Sequence, residues 1–379
     1  MNNVYKIPAV LGLFFVILLG LFYVYLQNKS LGVIEIQDAP AGGKVQDILA
    51  LAKDGDFSAA SSEIKNLEAE AASGTVSLSD DKQATLNHRY LITYKASGEQ
   101  SDAIEYIRRL KENVLNLELP AERRADDLSR LAFTYCSFGR DEETIREIFK
   151  GEPFSQYWVE GDTALGARKL LEWAYNDISP NARAAAQIGR WYVNRALIRP
   201  LDKATIDQYL DLTKRYVGEA ETLNAQEIAK RGSKYTSSRQ YAGYLYWHAF
   251  IVNGLIAMGD KTYTVAQARA EYDNLRKIIL AQDNASSLQL LPYAYIVEAK
   301  FITVIDKDEA KAKMHLKEAI RLVRADPYPK TNEFAEFARD SWNQKWGGYV
   351  VTAVADMAAL DPEFRAFIED EVLPNKIRS

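Results

Sequence analysis

The chain has 379 residues, enough for several ordinary domains or one extended repeat array, and a formal net charge of -5 at neutral pH. Acidic and basic residues are mixed along it, without the sustained basic surface that phosphate backbones require, which argues against nucleic-acid binding. The single cysteine, Cys136, excludes an intrachain disulfide bond and a metal site built on several thiolates.

An uncharged apolar segment at residues 7–26 predicts a transmembrane helix. Fourteen of its 20 residues are Leu, Ile, Val or Phe. A helix of this length would be about 30 Å long, the thickness of the hydrocarbon core. A cleaved signal peptide is the alternative, but its apolar region usually has only about 7 to 15 residues. We therefore predict that residues 1–29 form a single-pass membrane anchor, with the lipid bilayer as a partner.

The orientation of the anchor depends on the charges beside it. Lys6 and the amino terminus precede the span, while Lys29 and Lys44 follow it, so the positive charges are nearly balanced. A short leader before a single span usually stays in the cytoplasm. The C-terminal part is therefore predicted on the non-cytoplasmic side of the membrane.

A stretch containing glycine and proline at residues 30–46 predicts a short flexible linker. Beyond it, apolar residues recur at every third and fourth position and alanine is abundant, which is typical of packed helices. Strand-like composition is confined to residues 349–351. We therefore predict an all-α fold.

Helix-length apolar segments are separated by glycines at recurring positions, namely Gly55, Gly98, Gly139 and Gly259. The intervals are about 43, 41 and 120 residues, and the last is close to three times forty. Repeats of about 34 to 47 residues are typical of helical hairpin arrays. One repeat unit is therefore predicted to be a pair of helices.

The residues around these glycines share a spacing. The second unit has a large residue, a tyrosine, the glycine, a small residue and two apolar residues, at Tyr90, Tyr94, Gly98, Ala103, Ile104 and Ile107. The third repeats this at Leu131, Ala132, Tyr135, Gly139, Ile145 and Ile148, with Thr144 where an alanine is expected. The first keeps Gly55, Asp56, Phe57 and Ala60, with Leu51 in the tyrosine position.

This spacing resembles that of the tetratricopeptide repeat family. The small residue lets neighbouring helices approach, the large residues fill the space between them, and the glycine carries the backbone through the turn. The resemblance implies an α-solenoid of helical hairpins over residues 47–152, whose concave surface would hold an extended segment or a helix of a protein partner. A generic α-solenoid is the alternative.

Residues 153–379 are predicted to form further hairpins and a C-terminal cap. Helices are expected at residues 163–176, 180–196 and 203–223, followed by hairpins within 244–279 and 293–323. Cap helices, which would cover the apolar face of the last repeat, are expected at residues 332–345, 349–359 and 362–371.

The sequence contains no motif that commits it to catalysis or metal binding. His88, His248 and His315 are far apart, and none belongs to a His-Glu-x-x-His helix. Acidic pairs such as Asp80 and Asp81 are better explained as charges that complement a helix N-terminus. We therefore predict no catalytic residue, no cofactor and no metal site. A carboxylate pair that the fold brings together stays open as an alternative.

Aromatic residues with a polar edge are concentrated in the C-terminal half. Such residues are favoured where a surface binds a partner, although at helical spacing they also fill gaps between hairpins. The candidate partner-binding residues are Trp191, Tyr192, Tyr244, Trp247, Tyr293, Trp342 and Trp346.

The leading hypothesis is a non-catalytic, membrane-anchored scaffold for protein–protein interaction at the membrane or cell envelope. The alternative is a cell-surface module that binds glycan or peptidoglycan through its Trp and Tyr residues. A third hypothesis is an all-helical carbohydrate-active enzyme.

Overall fold

A computed structural model of the protein describes residues 39–137, 142–198, 201–282 and 290–325, with the residue pairs 345–346 and 349–350. The anchor predicted at residues 7–26 lies outside the described residues, as do Gly139, Trp342 and most of the predicted cap. Among the described helices, none combines the length and the apolarity that crossing a bilayer requires.

The described part of the chain is helical, which confirms the predicted all-α class. Its first helices are α1 (Ala39–Lys53), α2 (Phe57–Ala72), α3 (Asp80–Arg89), α4 (Leu91–Ser97), α5 (Gln100–Leu115), α6 (Ala121–Ser137) and α7 (Glu142–Ile148). The next are α8 (Thr163–Trp173), α9 (Ala182–Ile198), α10 (Lys203–Arg231), α11 (Ser233–Thr236), α12 (Arg239–Ala257), α13 (Val265–Gln282), α14 (Leu291–Phe301) and α15 (Glu309–Ala325). A 3₁₀ turn lies at Phe154–Tyr157, and π-helical turns follow α8 and α14 at Ala174–Ile178 and Ile302–Asp306.

A two-residue antiparallel ladder joins β1 (Lys345–Trp346) to β2 (Tyr349–Val350). It includes two of the three residues with strand-like composition, since β-branched and aromatic residues fit an extended backbone. The prediction of a helix over residues 349–359 is therefore wrong at its first two residues, which form β2. The prediction of a helix over residues 332–345 is wrong at residue 345, which lies in β1.

The first described helix begins inside the predicted linker. α1 starts at Ala39, so the end of the 30–46 segment is helical rather than flexible. Pro40 is compatible with a first helical turn, where its missing N–H would have had no partner within the helix. Val45 and Ile48 are buried in the core. Their burial outweighs the cost of about 1 kcal/mol for each glycine in the helix.

The predicted turn glycines that the structure describes lie at helix ends. Gly55, Gly98 and Gly259 have φ angles of 85°, 68° and 81°, the left-handed region that side chains disfavour. Asp56 then caps α2, because its carboxylate accepts the backbone N–H of Ala59 at 2.9 Å. Hairpin turns are therefore encoded locally, as the sequence predicts.

The largest difference in helix length concerns α10. The sequence predicts a helix over residues 203–223, but α10 continues to Arg231 and ends at Gly232, whose φ is 55°. Tyr216, Val217 and Ala220 bury its middle against the core. Since no glycine or proline interrupts the segment between 219 and 231, the helix continues although half of residues 224–231 are exposed.

Most helices pack on their neighbours in chain order. α9 contacts α8, α10 and α12, and α12 in turn contacts α13 and α14. One connected core of buried side chains extends from Val45 in α1 to Ala319 in α15. Burying one apolar side chain contributes about 1.5 to 3 kcal/mol. Each helix is therefore stabilised mainly by the helices beside it.

α9 and α12 approach closely at Gly254. A Cβ atom at this position would lie 2.5 Å from Val193 Cγ2 and 3.2 Å from Leu197 Cδ1. At Gly243, on the same helix, a Cβ would meet nothing within 4 Å. The separation of these two helices therefore depends on the missing side chain of Gly254.

We predict that Gly254→Ala lowers the free energy of unfolding by about 1 to 3 kcal/mol relative to Gly243→Ala, because overpacking a core has a cost of this size. The gain in helix propensity is common to both variants and cancels in the comparison. Urea denaturation followed by circular dichroism measures the difference. Equal stability of the two variants would contradict the close approach.

Candidate functional site

A small cavity lies between α6, α8 and α9, three helices that contact one another. Its volume is about 130 Å³, and it is partly open to solvent. The polar part of its lining comes from one residue of α8 and five of α9. These are Arg168, Gln187, Arg190, Trp191, Asn194 and Arg195.

The face of α9 that lines the cavity follows from helical spacing. Arg190, Trp191, Asn194 and Arg195 lie three, four, seven and eight residues after Gln187, which places all five on one side of a helix. The opposite side carries small buried residues, including Ala185, which has no exposed surface. α9 therefore packs through one side and presents guanidinium groups through the other.

Two of the arginines are held by groups on α8 and α9. Arg168 donates a hydrogen bond from Nη1 to the hydroxyl of Tyr192 at 2.6 Å, and the same nitrogen lies 3.2 Å from Glu172 Oε1. Arg195 forms an ion pair with Asp162, whose carboxylate also caps the N-terminus of α8. Because their partners are themselves fixed, these guanidinium groups are positioned before any ligand arrives.

Aromatic rings also contact the guanidinium groups of all three arginines on the lining. The Cζ atoms of Arg168 and Arg195 lie 4.7 Å and 5.0 Å from the ring centroid of Trp191. The Cζ atom of Arg190 lies 4.6 Å from the ring of Trp247. Each such contact contributes about 0.5 to 2 kcal/mol, more where it is desolvated. All three cations are thus oriented by aromatic rings, and Arg168 and Arg195 by ion pairs as well.

Four residues of the lining each carry a fully buried polar atom that has no hydrogen-bond partner among the residues that the structure describes. Two are donors, Arg168 Nε and Trp191 Nε1, and two are acceptors, Gln187 Oε1 and Asn194 Oδ1. A buried polar group without a partner costs about 1 to 3 kcal/mol.

The lining defines what the cavity can do chemically. Its apolar wall consists of Ala132, Phe133, Ala164, Ala167 and Leu171. The described lining residues include no carboxylate, imidazole, thiol or hydroxyl, so they offer neither a nucleophile nor a general base. Three guanidinium groups beside an apolar wall can bind an anionic group that has an apolar part.

The candidate aromatic residues do not form one exposed row. Tyr192, Tyr244 and Trp247 are 6%, 7% and 8% exposed and belong to the core. Trp191 lines the cavity, and Trp247 contacts it through Arg190. For the remaining candidates, the structure describes the backbone of Tyr293 in α14 and of Trp346 in β1, while Trp342 lies outside the described residues.

Tyr244 belongs to a second polar cluster, which joins α10, α12 and α13. His248 Nε2 lies 2.8 Å from Glu221 Oε1, and its Nδ1 lies 2.7 Å from Glu271 Oε1. Tyr263 donates its hydroxyl hydrogen to Glu221 at 2.8 Å, and the ring of Tyr244 lies 5.6 Å from the imidazole. Burial lowers the pKa of His248, but the two carboxylates raise it to about 9 overall.

This second cluster is an ion triad between three helices rather than a metal site. Its imidazolium lies between two carboxylates, so the three side chains pair with each other. In the part of the chain that the structure describes, no group of three or more His, Cys, Asp or Glu side chains is arranged to hold a metal ion. The triad therefore has a structural role, which its ionisation makes dependent on pH.

Sequence reasoning identified Trp191 but missed the arginines around it. A usable signal was present on α9, where Arg190, Asn194 and Arg195 share the helical face of Trp191 in an otherwise alanine-rich segment. Arg168 gave no such signal. It comes from α8 and meets this face only because the two helices pack together.

In comparisons with known proteins, no family model, no curated protein and no solved structure matches the chain. The resemblance to tetratricopeptide repeats therefore rests on residue spacing and stays a prediction. What the cavity does must be inferred from its own residues.

The His248 triad generates a prediction about stability and pH. The folded pKa of about 9 exceeds the ordinary value, so the triad stabilises the fold fully below pH 6.5. This stabilisation is lost as the pH rises through 9, and the loss amounts to about 3 kcal/mol at most. Urea denaturation between pH 6 and pH 10 should show this alkaline loss in the wild type but not in His248→Gln.

His315→Gln is the matched control. Burial lowers the pKa of His315 below its ordinary value, so this residue does not change its charge in the alkaline part of the tested range. Its replacement should leave the alkaline loss of stability unchanged. An alkaline loss of the same size in His248→Gln would show that the triad does not carry it.

Proposed function

We propose that this protein is a non-catalytic binding protein, a membrane-tethered scaffold of helical hairpins that holds a protein partner by a carboxylate-bearing group. The cavity between α6, α8 and α9 receives that group. The proposed tether is the apolar segment at residues 7–26, and the proposed location of the helical part is the non-cytoplasmic side of the membrane.

The arrangement of the helices supports the solenoid part of this proposal. Contacts run between neighbours in chain order and also between helices two or three places apart, as in α12 with α14 and α9 with α12. A core that continues through successive hairpins is expected of stacked repeats, which share one apolar seam. We propose a tetratricopeptide-like α-solenoid on this basis together with the residue spacing.

One observation carries the binding role: three guanidinium groups converge on a cavity whose described lining contains no acid. Arginine binds carboxylates through paired, charge-assisted hydrogen bonds, which are about twice as strong as neutral ones. The ion pairs and aromatic rings behind Arg168 and Arg195 reduce the entropy that binding would otherwise lose. A preorganised anion site is the role that this geometry supports best.

The size of the cavity favours a protein group over a glycan chain. Its volume of about 130 Å³ is below the roughly 300 to 1,000 Å³ of pockets that enclose drug-sized ligands. It can receive one side chain or one chain end. Tyr192, Tyr244 and Trp247 are buried, so they present no open ring face on which a sugar could stack.

We predict that the full-length protein in lipid nanodiscs binds carboxylate-bearing peptides on an array that displays acidic side chains and free chain ends. Binding should fail for matched peptides in which Asn and Gln replace the acidic side chains and the chain ends are amidated. Arg168→Gln and Arg195→Gln should each weaken binding at least tenfold, since a hydrogen bond to a charged group contributes about 1.5 to 3 kcal/mol.

Arg215→Gln is the control for this experiment. Arg215 lies on α10, pairs with Glu219 and is 60% exposed, away from the cavity. Its replacement should leave binding unchanged. Melting temperatures of all three variants separate loss of binding from loss of folding. Binding that survives in both cavity variants, or a glycan array that binds where the peptide array does not, would contradict the proposal.

The tether has its own test. We predict that the full-length chain stays in the membrane fraction through alkaline carbonate extraction, because about 20 apolar residues partition strongly into a bilayer. A chain that lacks residues 1–29 should be released. Protease added to intact cells should then digest the helical part. Release of the full-length chain would contradict the tether, and protection of the helical part would reverse its orientation.

A further inference from the structure

Four large apolar side chains are exposed in the part of the chain that the structure describes, namely Leu115, Leu117, Leu280 and Met314. Single exposed apolar residues are common on protein surfaces and need no special explanation. Leu115 and Leu117 differ because they lie close together, at the end of α5 and in the turn that leads to α6. Their exposed fractions are 47% and 76%. The two leucines therefore form one apolar projection on the surface.

The turn that carries Leu117 is held in place by hydrogen bonds. Asn116 donates a hydrogen bond from Nδ2 to Asp80 Oδ1 at 3.1 Å, and its Oδ1 accepts the backbone N–H of Glu118 at 3.0 Å. Leu119, two residues further on, is buried in the core. Leu117 is thus presented to the outside by an ordered turn, so burying it against a partner would lose little additional entropy.

Ion pairs show which helix ends lie on the same side as this turn. Lys44, in the second turn of α1, pairs with Glu70 near the end of α2. Glu68, also near the end of α2, pairs with Arg109 in the second half of α5. The start of α1 and the ends of α2 and α5 therefore lie together. This side of the hairpins is the entry end, because the chain enters the described helices here at Ala39.

The entry end is also where the proposed membrane tether joins the helices. Only 12 residues, 27–38, separate the apolar segment at residues 7–26 from the start of α1. Even when fully extended, a segment of this length reaches only about 40 Å. The other end of α1 lies about 20 Å farther along the helix axis. Of the two ends of these hairpins, the entry end is therefore the one that the tether holds nearest to the bilayer.

The charges around the leucines indicate the kind of lipid surface. The turn at residues 116–120 contains no basic residue, and Glu118 and Glu122 are exposed beside it. Arg123, at the start of α6, pairs with Asp81 at 3.2 Å. Attraction to anionic lipids depends on clusters of basic residues near the surface. An apolar projection with acidic neighbours instead suits a zwitterionic surface.

We infer that the entry end faces the bilayer and that Leu115 and Leu117 insert into its interface. The inference rests on the tether in the proposed function and goes beyond it, because it adds a second membrane contact. Burying apolar side chains at the boundary between headgroups and acyl chains is favourable. Two contacts fix the direction of the hairpins with respect to the membrane, which a single tether does not.

Fluorescence quenching by spin-labelled lipids tests this inference with the full-length protein in phosphatidylcholine vesicles. One fluorophore is attached at a time in a Cys136→Ser background, at Glu118→Cys in the α5–α6 turn or at Asp54→Cys in the turn between α1 and α2. Both positions are exposed, and the second lies at the end of α1 opposite the entry end. Quenching should be several-fold stronger at the first position.

The exposed apolar residues supply the matched variants. Leu115→Gln combined with Leu117→Gln should lower the quenching in the α5–α6 turn to the level of the other label, because the apolar contact is lost. Leu280→Gln combined with Met314→Gln removes the other two exposed apolar side chains and should leave the quenching unchanged. High salt should not weaken it either, since salt screens charges rather than apolar contacts. Melting temperatures confirm that both double variants fold.

The outcomes for the inference and for the proposed function are distinct. Equal quenching of the two labels overturns the inference, even when the chain stays in the membrane through carbonate extraction and the tether is supported. Strong quenching that persists without the two leucines overturns it as well. Release of the full-length chain by carbonate refutes the tether and the inference together. Peptide binding by the cavity is a separate measurement, since none of these variants changes a residue of its lining.

Discussion

The packing of α9 is the constraint on which the described structure depends. This helix contacts α8, α10 and α12, so it lies at the centre of the described part of the chain. Ala184, Ala185 and Ala186 have no exposed surface, and small residues let neighbouring helices approach closely. Gly254 allows the same close approach from α12. A side chain at Gly254 would push α12 away from α9, the helix that supplies most of the polar lining of the cavity.

The polar face of α9 can exist only because its other sides are so tightly packed. Burying charged and amide groups is unfavourable unless they find partners. Arg168 and Arg195 find theirs in Glu172 and Asp162, and Trp191 covers both guanidinium groups. The apolar core around these residues supplies the stability that offsets the polar atoms left without partners.

Two polar clusters thus have different roles although both contain buried charges. In the His248 triad the imidazolium and the carboxylates of Glu221 and Glu271 pair with each other, and three helices are joined. In the cavity Arg168 and Arg195 pair with Glu172 and Asp162, and neither carboxylate belongs to the described lining. The first arrangement joins helices of the fold, while the second is the site that we propose for binding a partner.

The sequence by itself determined the features that depend on neighbouring residues. Helical periodicity, the turn glycines Gly55, Gly98 and Gly259, and the cap at Asp56 are interactions within one or two turns of chain. Most helix positions were therefore predictable. The beginning of α1 was not predictable. Glycine and proline there favour a loop locally, but the burial of Val45 and Ile48 in the core stabilises a helix.

Only the tertiary structure decided where the cavity lies and which side chains line it. Arg168 and the face of α9 belong to different helices, and no spacing along the chain relates them. The same holds for the aromatic residues, since Trp191 lines the cavity while Tyr192, the next residue, is buried in the core. Adjacent residues on a helix point about 100° apart. Which direction faces a neighbour and which faces a cavity is set by how the helices pack.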